Sequence, residues 1–179
     1  MIFKTFKIKD LVLIKPEIFK DGRGHFFEAF NKSKLDKFIK KKIKIYQLNK
    51  SYSKKDTLRG IHFQKKPFEQ GKIVTVNKGE IFDVAVDLRT NSKTYLKYQS
   101  VILNEKNKYS FWIPPGFGHG FKVLSRIAEV EYLTTEKYHP KYERSIRFDD
   151  KKLSIKWPRP KKIFISKKDK NAPFLKDLF

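Results

Sequence analysis

Leu58-Arg59-Gly60-Ile61-His62-Phe63-Gln64 sets one histidine between two apolar neighbours in a run that reads as a strand, with Arg59 before it and Lys72 after it. Side chains alternate along a strand, so His62 points to the face opposite Ile61 and Phe63. An imidazole turned in among apolar groups is either a hydrogen-bonded core histidine or a base sheltered from bulk water. The stretch alone leaves both readings open. Working outward, similar runs recur at short intervals: 72–77, 81–88, 96–103, 108–113, 119–124 and 127–134. Turn chemistry separates them at Asn77-Lys78-Gly79, Thr90-Asn91-Ser92, Asn104-Glu105-Lys106-Asn107 and Pro114-Pro115-Gly116. Many short strands at such spacing predict an all-β, jelly-roll (cupin-like) β-barrel with one or two short helices and an irregular C-terminal segment.

The flanks fit one domain spanning 1–179. Residues 1–14 alternate and predict one or two strands, and the N-terminus lacks the apolar core of a secretory signal. Lys15-Pro16 to Asp21-Gly22 reads as a loop. Ser33 is placed to cap a helix carrying Leu35, Phe38 and Ile39 on one face. From Ile43 the period becomes two, so Gln47 and Asn49 share a side. The tail from Trp157-Pro158 onward is Pro-punctuated and irregular.

The net charge is +23, which raises nucleic-acid binding. Of the 42 basic residues, however, 35 are Lys and 7 are Arg, and they occur in every segment rather than in one stripe. Base readers favour the planar fork of Arg, so the expectation is no nucleic-acid partner. The field would still attract a small dianion such as a nucleotide diphosphate. The longest aliphatic run, Leu11-Val12-Leu13-Ile14, is too short to cross a bilayer, and no membrane partner is expected. With no Cys there is neither a disulfide framework nor a thiolate metal site, and the cytoplasm is the default compartment.

Four histidines are present: His25, His62, His119 and His139. His119 lies in Gly116-Phe117-Gly118-His119-Gly120-Phe121, where small neighbours let a ligand come close. Cupin metal sites commonly use His-x-His with a carboxylate, and Gln64 stands where the second His would be. His62 and His119 alone make a poor ligand set, so no metal and no cofactor are expected. A metal-free barrel acts by proton transfer if it acts at all. It then needs a carboxylate to orient the imidazole, a second acid, and a cation for a developing oxyanion. Tyr132 shares the inward face of Val130, and Lys72 begins a strand whose other face carries Ile73. An inward Lys is costly unless it meets an anion.

Several series, in order and from about residue 10 to about 175, resemble the dTDP-4-dehydrorhamnose 3,5-epimerases. They are Asp21-x-Arg23-Gly24-x-Phe26-x-Glu28-x-Phe30-Asn31, Gln47-x-Asn49-x-Ser51-x-Ser53, Leu58 to Gln64, Gln70-x-Lys72 and Gly79 to Arg89. Ile113-Pro114-x-Gly116-Phe117-x-His119-Gly120-Phe121, Tyr138-x-Pro140, Glu143, Ile155-x-Trp157-Pro158 and Ser166-x-Lys168-Asp169 continue the match. No single motif decides it; their joint occurrence at these separations does.

The resemblance implies cofactor-independent epimerisation at C3 and C5 of dTDP-4-dehydro-6-deoxy-D-glucose to dTDP-4-dehydro-L-rhamnose, a step toward surface polysaccharide. It implies His62 as the base, Asp169 as its orienting carboxylate, Tyr132 as the acid on the opposite face and Lys72 beside the C4 oxygen. Arg59 and His119 would bind and polarise substrate, with Gln47, Asn49, Tyr138, Glu143 and Lys168 completing the pocket. Arg23 and Glu28, among aromatics that include Phe26, would reach across a homodimer interface to the nucleotide base. The chain departs from the family pattern at Ser145, where Gly is usual, and at Gly118, where Ala is commoner. Three readings compete with the first: a C3-only epimerase, a 3,4-ketoisomerase acting on a GDP- or CDP-linked 4-keto sugar, and a non-catalytic basic binding module.

Overall fold

The computed structural model describes residues 1–158 and 163–178. Eleven strands form among them: β1 (Ile2–Thr5), β2 (Val12–Lys15), β3 (Ile18–Asp21), β4 (Gly24–Phe27), β5 (Gln47–Lys54), β6 (Leu58–Gln64), β7 (Lys72–Asp87), β8 (Tyr98–Asn104), β9 (Ser110–Ile113), β10 (Phe117–Thr134) and β11 (Glu143–Ser145). Helix α1 covers Lys32–Ile39, α2 covers Lys167–Lys170, and a 3-10 turn covers Leu175–Asp177. No described helix is long and apolar enough to cross a membrane.

Two long strands organise the sheet. The first part of β7 pairs with β9 and its later part with β8, while β10 runs antiparallel to β7 along almost its whole length. The beginning of β10 pairs with β6 and its end with β5. Each long strand therefore passes from one layer of a jelly roll to the other. One layer holds β1, β2, β9 and β5; the other holds β8, β6 and β11. The crossing coincides with register shifts between Val123 and Ala128 and between Glu129 and Val130.

That crossing corrects the reading of four separate strands at 72–77, 81–88, 119–124 and 127–134. Asn77-Lys78-Gly79 does not reverse the chain; it forms an irregularity inside β7. Gly79 sits at φ +80, and a Cβ there would lie 1.9 Å from the carbonyl oxygen of Ile127. Only glycine fits so close to the partner strand, so a turn-forming residue here marks a bend. Strand β6 begins and ends where its sequence pattern predicts.

The 15–22 segment also differs from the expected loop. Pairs from Ile18↔Phe27 to Asp21↔Gly24 make β3 and β4 a hairpin, with Gly22 in its turn. The turn signal marked the tip, and the flanking strands were too short to register. The hairpin forms its own two-stranded sheet, with Phe19 and Phe26 55% and 71% exposed. Helix α1 is capped by Asn31, whose side chain accepts from Lys34 N, rather than by Ser33 two residues further in. Leu35 is fully buried beside Val12, Ile14, Ile43 and Trp112.

The main core lies between the layers. Val74, Val76, Phe111 and Val130 come from one wall and Ile81, Leu103, Phe121 and Val123 from the other. The predicted irregular tail contains α2 and the 3-10 turn; its residues 159–162 and 179 lie outside the described set. Phe164 secures the tail, its carbonyl accepting from Leu58 N at 2.9 Å and its N–H donating to Asp56 O at 3.0 Å.

Candidate active site

One end of the space between the layers is polar. Register places Tyr132 opposite Asn49 of β5 and Val74 of β7, and places His119 opposite His62 of β6 and Ala85 of β7. The His119 and Tyr132 rings meet edge to face, centroids 6.4 Å apart. His62, on β6, and Tyr132, farther along β10, thus both neighbour His119.

Nε2 of His62 lies 2.6 Å from Oδ1 of Asp169, across 107 residues of sequence. The carboxylate is set by α2, where Ser166 Oγ accepts from Asp169 N at 3.0 Å. Burial works to raise the Asp169 pKa, but the bond to His62 and a long one from Gly60 N leave it below its usual value. An ionised Asp169 accepts the Nε2 proton, which leaves Nδ1 of His62 as the basic nitrogen.

His119 makes a second such pair, its Nε2 2.7 Å from Asp83 Oδ1. Both side chains are buried, and Asp83 Oδ2 has no hydrogen-bond partner among the described residues. Burial lowers the His119 pKa against the pull of Asp83, and raises that of Asp83 against His119 and Lys72. Burial also lowers the Lys72 pKa to about 8, with Asp83 and Glu143 acting to keep it charged. Lys72 therefore is the inward cation with an anion at hand.

The Tyr132 hydroxyl donates to Ser51 Oγ at 2.7 Å, and burial pushes its pKa up, so the phenol keeps its proton. Arg59 Nε donates to buried Ser53 Oγ at 3.0 Å. At the rim, Gln47 Nε2 donates to Asn49 Oδ1 at 2.7 Å, and Tyr138 N donates to Gln47 Oε1 at 3.2 Å. Tyr138 OH and Lys168 Nζ both donate to Glu143 Oε2, at 2.8 and 2.5 Å. Burial pushes the Glu143 pKa up, yet these two bonds hold it below its usual value.

Eleven of the expected site residues are thus linked by strand register, hydrogen bonds or charge: His62, Asp169, Tyr132, Lys72, His119, Arg59, Gln47, Asn49, Tyr138, Glu143 and Lys168. Arg23, Phe26 and Glu28 lie elsewhere in the chain, on or just after the hairpin. The Arg23 side chain is 92% exposed and pairs with Asp21, and Glu28 pairs with Lys34. A broad groove of about 1580 Å³, walled by Lys40, Lys42, Trp112 and Pro115 among others, includes none of His62, Lys72, His119 or Tyr132. Sequence reasoning gave Asp83 no role. A signal existed: an acid inside Ile81-Phe82-Asp83-Val84-Ala85-Val86 needs a buried partner.

The family model for dTDP-4-dehydrorhamnose 3,5-epimerase matches residues 5–177. A dTDP-4-dehydrorhamnose 3,5-epimerase of Escherichia coli is 41% identical over 172 residues, covering 96% of this chain and 93% of that protein. A dTDP-6-deoxy-D-glucose-3,5-epimerase from Legionella pneumophila, solved with dTDP-4-keto-L-rhamnose, superposes with a TM-score of 0.94 at 42% identity, covering 97% of this chain and 92% of that one. A 3'-monoepimerase from Streptomyces bikiniensis, solved with dTDP-quinovose, has a TM-score of 0.90 at 29% identity, covering 96% and 87%.

Proposed function

The chain belongs to the dTDP-4-dehydrorhamnose 3,5-epimerase family, an isomerase family, and on that premise we propose that it inverts C3 and C5 of dTDP-4-dehydro-6-deoxy-D-glucose, giving dTDP-4-dehydro-L-rhamnose. The C4 ketone acidifies the hydrogens on both neighbouring carbons. His62 Nδ1 takes one of them, and the electron pair moves through the C3–C4 or C4–C5 bond onto the C4 oxygen. Asp169 orients the ring and stabilises the imidazolium that forms. The Lys72 ammonium holds the enolate; losing one such donor typically costs about 3 kcal/mol, or roughly a hundredfold in rate. Tyr132 then gives its proton to the opposite face of the carbon, and solvent restores both groups.

The observation that carries this reading is that an Asp169-backed imidazole and a protonated Tyr132 phenol, on different strands, both neighbour His119. One group working on one face would exchange hydrogen and retain configuration; two groups allow inversion. The bound product in the Legionella relative supports the dTDP-linked substrate.

The active unit in this proposal is a homodimer in the cytoplasm. The hairpin of one protomer lends Arg23 and Phe26, with Glu28 just beyond, to the nucleotide held by the other. The Glu28 carboxylate suits a base N–H, and the exposed ring of Phe26 offers a stacking surface.

Incubation with substrate in deuterated water, followed by NMR, tests the reaction. Label at both C3 and C5 is expected. Label at C3 alone would assign a monoepimerase reaction like that of the Streptomyces relative. Label at neither would remove the reading.

A further inference from the structure

Gln64 takes no part in these proton transfers, yet it is withdrawn from solvent almost completely, 5% exposed. It lies two residues beyond His62 on β6, hence on the same face, and its strand partner on β11 is Glu143. Its sequence position suggested a missing metal ligand, and its bonds explain it differently. Nε2 donates to Phe68 O at 2.7 Å and to Lys137 O at 3.1 Å, and Oε1 accepts from His139 N at 2.7 Å. One carboxamide thus ties the segment after β6 to the segment after β10, gripping the main chain on both sides of Tyr138.

The same two segments are stitched elsewhere. Gln70 Nε2 donates to Glu136 O at 2.7 Å, Gly71 N to Thr135 Oγ1 at 2.8 Å, and Lys65 N to Tyr142 O at 3.0 Å. The Phe68 and His139 rings stack at 3.8 Å. Tyr138 itself is 52% exposed and reaches Glu143 through its hydroxyl. With so little packing, its reach to Glu143 depends on that one hydrogen bond and on where its backbone stands.

We propose that Gln64 is a positioning residue for the epimerase site, an inference that rests on the function proposed above. By fixing the main chain at Lys137 and His139 it aims the Tyr138 hydroxyl at Glu143, and so holds the Glu143 carboxylate and Lys168 at the mouth where substrate docks. Its contribution is to binding geometry, not to proton transfer.

Steady-state kinetics and deuterium exchange on Gln64→Glu, Tyr138→Phe and the double variant test this. Gln64→Glu keeps the shape but turns an oxygen toward the carbonyls of Phe68 and Lys137, where Nε2 had donated. The expected result is a KM raised about tenfold, with exchange at saturating substrate held within about threefold of the parent protein. The double variant is expected to be no worse than the poorer single one, since both changes break one chain of contacts. An unchanged KM, or losses that multiply in the double variant, would overturn the inference while the parent's activity leaves the epimerase reading intact. An inactive parent removes both. Should Gln64→Glu not fold, Gln64→Asn takes its place; failure of both makes Gln64 a fold residue and likewise overturns the inference.

Discussion

Asp83 holds His119 Nε2 with one carboxylate oxygen at 2.7 Å and keeps its other oxygen buried and unpaired among the described residues. Its charge is thereby free to act on Lys72, whose pKa it helps to raise against burial. An enolate needs the ammonium form, which is present below the Lys72 pKa of about 8 and lost above it. The turnover number should accordingly fall on the alkaline side as pH rises through about 8. Asp83→Asn removes a charge that favours the ammonium, so the alkaline fall should begin at lower pH. Lys72→Arg should abolish that fall at a reduced overall rate. A pH profile from 6 to 10 reads all three, and an unmoved alkaline limb in Asp83→Asn would count against the coupling.

Base and acid are separable. His62→Ala should eliminate deuterium uptake at both carbons. Tyr132→Phe should retain wash-in from the first face but yield no inverted product, because only the second donor is gone. Normal inversion by the phenylalanine variant would refute the assignment.

Asp169→Asn should leave the fold standing, since Phe164 still fastens the tail through its main-chain bonds to Leu58 and Asp56. The amide cannot stabilise the imidazolium as a carboxylate does, and the exchange rate should fall roughly a thousandfold or more. A thermal melt alongside the NMR assay separates loss of chemistry from loss of structure.

A fourth expectation concerns stability. Asp87 is buried and accepts from Arg89, Ser92 and Thr94, which outweigh burial and bring its pKa to about 2 from 3.8. A carboxyl with a depressed folded pKa contributes stability above its unfolded value and loses it as pH falls through the folded one. Between pH 4 and 2 this group should forfeit on the order of 2 kcal/mol. Urea midpoints measured across that window should show a steeper decline for the parent than for Asp87→Asn.

Legibility followed range. Strand β6 could be read to its ends because alternation and turn residues act within a few positions. Its histidine was visible as inward for the same reason. The long strands β7 and β10 were not, since Gly79 is a turn former by itself and a bend only beside Ile127 O. Glu143–Ser145 went unread as a strand because three residues hold no period. Asp169 entered through resemblance alone; nothing local links it to a ring 107 residues away. Asp83 was legible as an anomaly without its partner, and the Gln64 brace was not legible at all, because its bonds go to main-chain atoms that have no signature in sequence.

The remoteness of Asp169 has a temporal side. The bond between Asp169 and His62 closes across 107 residues, so it can form only once the C-terminal segment has docked beside β6. The tail is also part of the packing, with Leu175 buried beside Ile61 and Ile146, so a protease cut just after Phe164 would remove the carboxylate and a piece of the core together.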